Sequence, residues 1–175
     1  MPFTPDNELE LLFDIVTVPT SARDLLSENN LHIRPLSSSD YSRGHLIPLG
    51  DLTSTPDIGA SAWAERYSLM KSLSNTYYIL VILDTITDKI LATGSLILEH
   101  KFIRGAATIG HIEDIAVSKS AQGKRLGLHL VNALTELSEI LGCYKCILDC
   151  SEDNKGFYEK CGHEYKGIQM AKYVK

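Results

Sequence analysis

The sequence predicts an α/β (α+β) fold, a mixed and mostly antiparallel central sheet flanked by helices, with the order β-α-α-β-β-β-α-β-α-β. Three observations carry that prediction. Apolar, β-rich runs at 77–83, 90–99 and 111–117 follow one another without a helical pattern between them. One long amphipathic stripe, Leu126, Leu130, Ala133, Leu134, Leu137 and Leu141, comes next. A further strand-like run then completes a strand–helix–strand unit over 111–150, which reads as a right-handed parallel crossover.

Taken in order, residues 1–30 read as an N-terminal extension and residues 31–175 as one domain. The extension holds three of the six prolines and a short apolar patch, Leu9 to Val18, able to pack on the domain. Regular structure is expected to begin at 31–35, a short strand stopped by Pro35. The run Ser37-Ser-Ser-Asp40 offers caps for a helix reaching about residue 49. A second helix is expected over 58–72, with Trp63, Tyr67 and Met70 at spacings of three to four. Residues 77–83 and 90–99 form a hairpin across the turn at 84–89. The run 111–117 carries apolar residues on both faces and is expected to be central. A strand at 145–150, a short helix at 154–161 and a last strand at 164–173 complete the chain.

A length of 175 residues suits one well-buried domain. With 44% hydrophobic and 22% charged residues the composition is that of a globular protein. The formal charge of −5 and pI near 5.6 argue against nucleic-acid binding, which favours a basic surplus. No apolar run approaches membrane-spanning length, so no membrane partner is expected. The amino end, MPFTPDNELELLF, lacks the basic region and apolar core of a signal peptide, and a cytoplasmic location follows as the expectation. Cys143, Cys146, Cys150 and Cys161 are then reduced thiols. A zinc site is not expected, because Cys146, Leu148 and Cys150 alternate along one strand and stand too far apart for one ion.

The most informative stretch is Ile112-Glu-Asp-Ile-Ala-Val117, followed by Gln122-Gly-Lys-Arg-Leu-Gly127 at the start of the long helix. A strand, a glycine-containing turn and a helix N-terminus make an anion cradle, where free amides and the helix dipole converge. Lys124 and Arg125 add positive charge, and Gly123 and Gly127 admit close backbone approach. Glu113 and Asp114, set between apolar neighbours on a central strand, point to function, since buried charge is costly unless paired or used. By spacing alone Tyr158 reads as core, Lys101 and Arg104 as solvated loop charges, and His111 and His163 as structural.

That turn resembles the pyrophosphate motif of the GCN5-related N-acetyltransferase superfamily, Gln/Arg-x-x-Gly-x-Gly/Ala, with Arg125 standing where glycine is usual. The blocks LGDLT at 49–53, ILEHKFI at 97–103, GHIEDIAV at 110–117, GCYKC at 142–146, LDC at 148–150 and NKGFYEKCG at 154–162 resemble the glucosamine-6-phosphate N-acetyltransferase family. The likeness covers roughly residues 31–173.

The resemblance implies acetyl-CoA as cosubstrate, with no metal. Ile115, Ala116 and Val117 would offer strand backbone to its pantetheine arm. Gly123, Lys124, Arg125, Leu126, Gly127 and Leu128 would hold the pyrophosphate, and Asn154 would touch the cofactor. Tyr158 would hydrogen-bond the departing thiolate. Thr53, Lys101, Phe102, Ile103, Arg104, Glu113, Asp114, Ile115, Tyr144, Lys145 and Asp149 would line the sugar-phosphate pocket. The chemistry agrees: amide formation needs a polarised carbonyl, a proton for the thiolate and an acceptor for the amine proton. Asp149 and Glu113 are the candidate acceptors, and Lys101, Arg104 and Lys145 suit a phosphate. The family is typically homodimeric, and Lys172 or Tyr173 stands where it often places a basic substrate contact. Two rival readings are an acetyltransferase for a protein or polyamine amine, and a non-catalytic CoA-binding module.

Overall fold

The computed structural model describes residues 3–27 and 29–173. Strand β2 (Tyr77–Asp84) is apolar on both sides and buried along its length, so the sheet must be covered on both faces. Among the described residues five strands lie side by side in chain order: β1 (Leu31–Pro35), β2, β3 (Lys89–His100), β4 (Thr108–Val117) and β5 (Cys143–Ile147). The first three pairings are antiparallel and β4–β5 is parallel. The connection between that last pair is helix α5 (Leu126–Ile140), as the sequence predicts.

Helix α5 buries Leu126, Leu130, Leu134 and Leu137 with Leu80, Ile82, Leu96 and Ile112 in one core. Each such side chain contributes about 1.5–3 kcal/mol of transfer free energy. The other core brings α3 (Gly59–Ser72), through Trp63 and Tyr67, against Ile79, Val81 and Leu83. On the α3 side of the sheet His45 is buried and doubly tied. Trp63 Nε1–H donates to its Nδ1 at 3.2 Å, and its Nε2 lies 3.2 Å from the Thr93 hydroxyl, which itself donates to the Leu80 carbonyl. Burial pushes its pKa down to about 4, leaving the ring neutral.

Four expectations need correction. Regular structure starts before Leu31, with helix α1 (Thr20–Ser27), whose Leu26 is buried in the α5 core beside Val18. Ser37–Asp40 caps no helix: residues 39–45 turn, and α2 is the shorter Leu46–Leu52. Asp40 is wholly buried and committed elsewhere, accepting from both Arg34 guanidinium ends at 2.7 Å and from the Ser37 amide at 2.8 Å. Strand β5 stops at Ile147 rather than 150, because its register with β4 ends at the His111–Ile147 pair. Residues 164–173 form no strand. A strand needs a hydrogen-bonding neighbour, and this segment finds none among the described residues, leaving Ile168, Met170 and Tyr173 exposed.

Strand β4 departs from simple alternation. Between the pairs Glu113–Ser95 and Ala116–Thr93, two residues, Asp114 and Ile115, face the single Gly94. This is a β-bulge. Asp114 takes φ +54° to accommodate it, and a Cβ on Gly94 would lie 2.6 Å from Ile115 Cδ1. The bulge turns Asp114 outward, so Glu113 and Asp114 do not simply occupy opposite faces.

Candidate active site

Strands β4 and β5 part company after His111, while β4 runs on to Val117. The edge of β4 from Ile112 onward therefore has no strand beside it on that side. A cleft of about 420 Å³ opens there, and its walls come from four places. Asp51 and Leu52 come from the end of α2, and Ile115, Ala116 and Val117 from β4. The turn and first residues of α5 supply Gly123, Arg125, Leu126, Gly127 and Leu128. Asn154, Phe157 and Tyr158 close the side from the start of α6 (Lys155–Lys160). Ten of the residues expected to hold a cofactor thus meet in one cleft; Lys124 lies beside it without lining it.

The local backbone explains the cradle. Gly123 has φ +84° with open space around its Cα, a conformation that suits glycine. Arg125, at the N-cap of α5, is itself left-handed at φ +58° and makes no capping hydrogen bond with its side chain. The first amides of α5 are therefore left for an anion. Sequence reasoning missed Asp51, which ties α2 to the turn by accepting the Lys119 amide at 2.8 Å. It also missed Phe157, whose ring lies edge-on to Tyr158 with centroids 5.0 Å apart. The FYEKCG block pointed to this element, but only its tyrosine carried an evident chemistry.

Tyr158 is half-buried at the cleft wall. Burial raises its pKa, and the nearby Cys150, Cys161 and Glu113 raise it further, so the hydroxyl keeps its proton. Glu113 is also shifted upward, first by burial and then by Asp114 and Asp149, with His111 opposing. Glu113 and Asp114 are neighbours on β4, and Asp149 follows the end of β5. Asp149 accepts a hydrogen bond at 3.0 Å from Nε2 of Gln169, a tail residue with no motif to mark it.

Cross-strand register places Glu99, His111, Glu113 and Lys145 on the sheet face opposite α5. Glu99 joins two cations or potential cations: it pairs with Lys101 and accepts from His111 Nε2 at 3.0 Å. Arg104 and Lys145 converge on Tyr144, lying 5.4 Å and 5.6 Å from its ring centroid. The turn that carries Arg104, α4 (Ile103–Ala106), is irregular, with Arg104 at φ +55°. Phe102 and Ile103 point to solvent and join no cluster. Thr53 caps the end of α2 two residues beyond Asp51 and is exposed. Lys172 and Tyr173 are exposed in the irregular tail. The four cysteines are free thiols, and among the described residues no group of three His, Cys, Asp or Glu could hold a metal.

Residues 49–163 match the model of the acetyltransferase (GNAT) family. The chain is 42% identical over 147 residues to glucosamine 6-phosphate N-acetyltransferase 1 of Dictyostelium discoideum, covering 84% of this chain and 93% of that protein. It is 43% identical over 141 residues to glucosamine 6-phosphate N-acetyltransferase of Arabidopsis thaliana, covering 81% and 95%. The crystal structure of the Arabidopsis enzyme superposes with a TM-score of 0.80, at 42% identity, over 83% of this chain and 99% of that one.

Proposed function

The chain belongs to the acetyltransferase (GNAT) family, and on that premise we propose that it transfers acetyl from acetyl-CoA to the 2-amino group of D-glucosamine 6-phosphate. The product is N-acetyl-D-glucosamine 6-phosphate, which feeds UDP-N-acetylglucosamine biosynthesis in the cytoplasm. The observation that carries this reading is the junction of two sites. A cleft fit for a phosphate-bearing cofactor, built on the parted edge of β4, adjoins a sheet face bearing carboxylates and cations.

Acetyl-CoA supplies the acetyl group already activated as a thioester. The freed edge of β4 at Ile115–Val117 offers backbone groups to its arm and to the acetyl carbonyl, where amides would stabilise negative charge as it develops. The amides at the head of α5, with Lys124 and Arg125 beside them, receive the pyrophosphate. Tyr158 donates its proton to the departing sulfur. Glu113 and Asp149 hold the substrate ammonium and accept its proton, directly or through water. Lys101, Arg104 and Lys145 receive the sugar phosphate. Attack is direct within a ternary complex, since no cysteine is paired with a histidine base.

The reading is tested by CoA-thiol release with glucosamine 6-phosphate beside glucosamine, spermidine and a lysine peptide. Rapid release with the phosphorylated sugar alone is expected. Preference for another amine would keep the fold and overturn the substrate.

A homodimer is part of the proposal. The uncovered outer edge of β5, the exposed Phe102 and Ile103, and the unpaired tail with Ile168, Met170 and Tyr173 together present apolar surface that one chain leaves in water. Light scattering on the purified protein is expected to give twice the chain mass, and a monomer at micromolar concentration would count against it.

A further inference from the structure

Amide formation from an ammonium releases one net proton, and that proton must leave a partly buried site. Glu113 is the candidate to receive it, and burial with the nearby negative charge of Asp114 and Asp149 raises its pKa, so a further acceptor is needed to carry the proton away. The residue two positions earlier on the same face of β4 is His111. Its pairing partners across the sheet are Ile97 on β3 and Ile147 on β5. It therefore stands at the point where the two parallel strands separate, on the same face as Glu113 and partly open to solvent.

The ring of His111 is oriented. Nε2 lies 3.0 Å from Glu99 Oε2, and the carboxylate can only accept, so that nitrogen carries the proton. Nδ1 is then the lone-pair nitrogen of the neutral ring, and it takes part in no hydrogen bond among the described residues. A carboxylate fixing one nitrogen of an imidazole while the other stays free is the arrangement of an oriented base. The charged groups around it come from each adjoining element. Glu99 and Lys101 stand at the end of β3, Glu113 and Asp114 on β4, and Lys145 and Asp149 on and after β5. Glu99 is held firmly anionic by Lys101 first and His111 second, so it is available to stabilise an imidazolium.

We propose that His111 is a proton-relay residue, positioned by Glu99, which takes up through water the proton that Glu113 removes from the substrate ammonium. The inference rests on the amine-acetylation reading above. The ammonium gives one proton to Glu113, and the neutral nitrogen bonds to the acetyl carbon. The carbon–sulfur bond breaks as Tyr158 gives its proton to the sulfur, and the nitrogen's second proton restores Tyr158. The proton on Glu113 passes to His111 Nδ1, and the half-exposed imidazolium releases a proton to solvent. Nothing is oxidised or reduced.

His111→Ala and His111→Gln are compared with the unmodified protein in the thiol-release assay. Glutamine retains a hydrogen bond to Glu99 and cannot carry a proton, so it separates the relay from a packing role. Both variants are expected to lose about tenfold or more in kcat, with KM for each substrate changed little. Added imidazole is expected to accelerate His111→Ala severalfold. A glutamine variant within about twofold of the unmodified rate overturns the relay, as does an alanine variant that imidazole leaves unaffected. Should His111→Ala fail to fold, His111→Gln decides alone. Turnover in the unmodified protein without an effect of His111 overturns the relay only, whereas absence of turnover overturns the reaction and the relay with it.

Discussion

Tyr158→Phe is expected to lower kcat about a hundredfold or more while acetyl-CoA still binds within about twofold of the unmodified protein. The size follows from the task, since a positioned proton donor contributes typically about 10²–10⁴ to a rate. The selectivity follows from the surroundings. The Tyr158 ring packs edge-on against Phe157 in the cleft wall, and phenylalanine keeps that contact. Burial and the neighbouring Cys150, Cys161 and Glu113 all raise the hydroxyl pKa from its ordinary value of 10.0. The group is therefore a neutral donor throughout the physiological range, and its ionisation gives no alkaline loss of activity below about pH 10. Single-turnover rates and calorimetric titration with acetyl-CoA check the two halves separately. An unchanged rate would remove Tyr158 from the chemistry and move the search to Cys150 or water.

The parts of the fold legible in the sequence are those in which side-chain period decides structure within one element. The double-sided apolar run at 77–83 could only be a covered strand, and the leucine stripe from 126 could only be a helix on that sheet. The turn at 122–127 was legible because glycine and a helix start leave few alternatives. What the sequence left obscure depends on partners far along the chain. Asp40 carries the residue type of a helix cap, but Arg34 claims it in a buried pair at 2.7 Å. Asp114 reads as an ordinary strand position, and only the register against Gly94 reveals the bulge. His111 and Glu99 are 12 residues apart, and they meet because the intervening chain turns back on itself. The run 164–173 has apolar residues enough for a strand, but pairing is a property of two segments, and none of the described residues pairs with it.

The amino extension poses the sharpest test, because composition and structure value it differently. Prolines and acidic residues give it the texture of an appendage, and an appendage could be removed with turnover intact. The structure puts Leu12, Val18 and Leu26 among the buried residues, at 8%, 1% and 1% exposure. At about 1.5–3 kcal/mol each, their removal from the cores forfeits roughly 5–9 kcal/mol, against a typical total stability of about 5–15 kcal/mol. Polar ties go with them. The Leu12 amide bonds the Leu36 carbonyl at 2.7 Å, Asp6 meets His32 at 2.9 Å, and Ser21 bonds Glu136 on α5 at 2.7 Å. The ordering entropy recovered by deleting the segment offsets part of this loss, but the strands it covers, with Ile33 and Leu36 fully buried, would be opened to water. Deleting residues 1–28 is therefore expected to leave either no folded protein or a midpoint lowered by about 10 °C or more. Loss of activity should track loss of fold. Thermal unfolding followed by circular dichroism, run beside the thiol-release assay, measures both. A truncated chain that unfolds within about 3 °C of the full one and turns over normally would mean that the extension lies on the surface and the cores close without it.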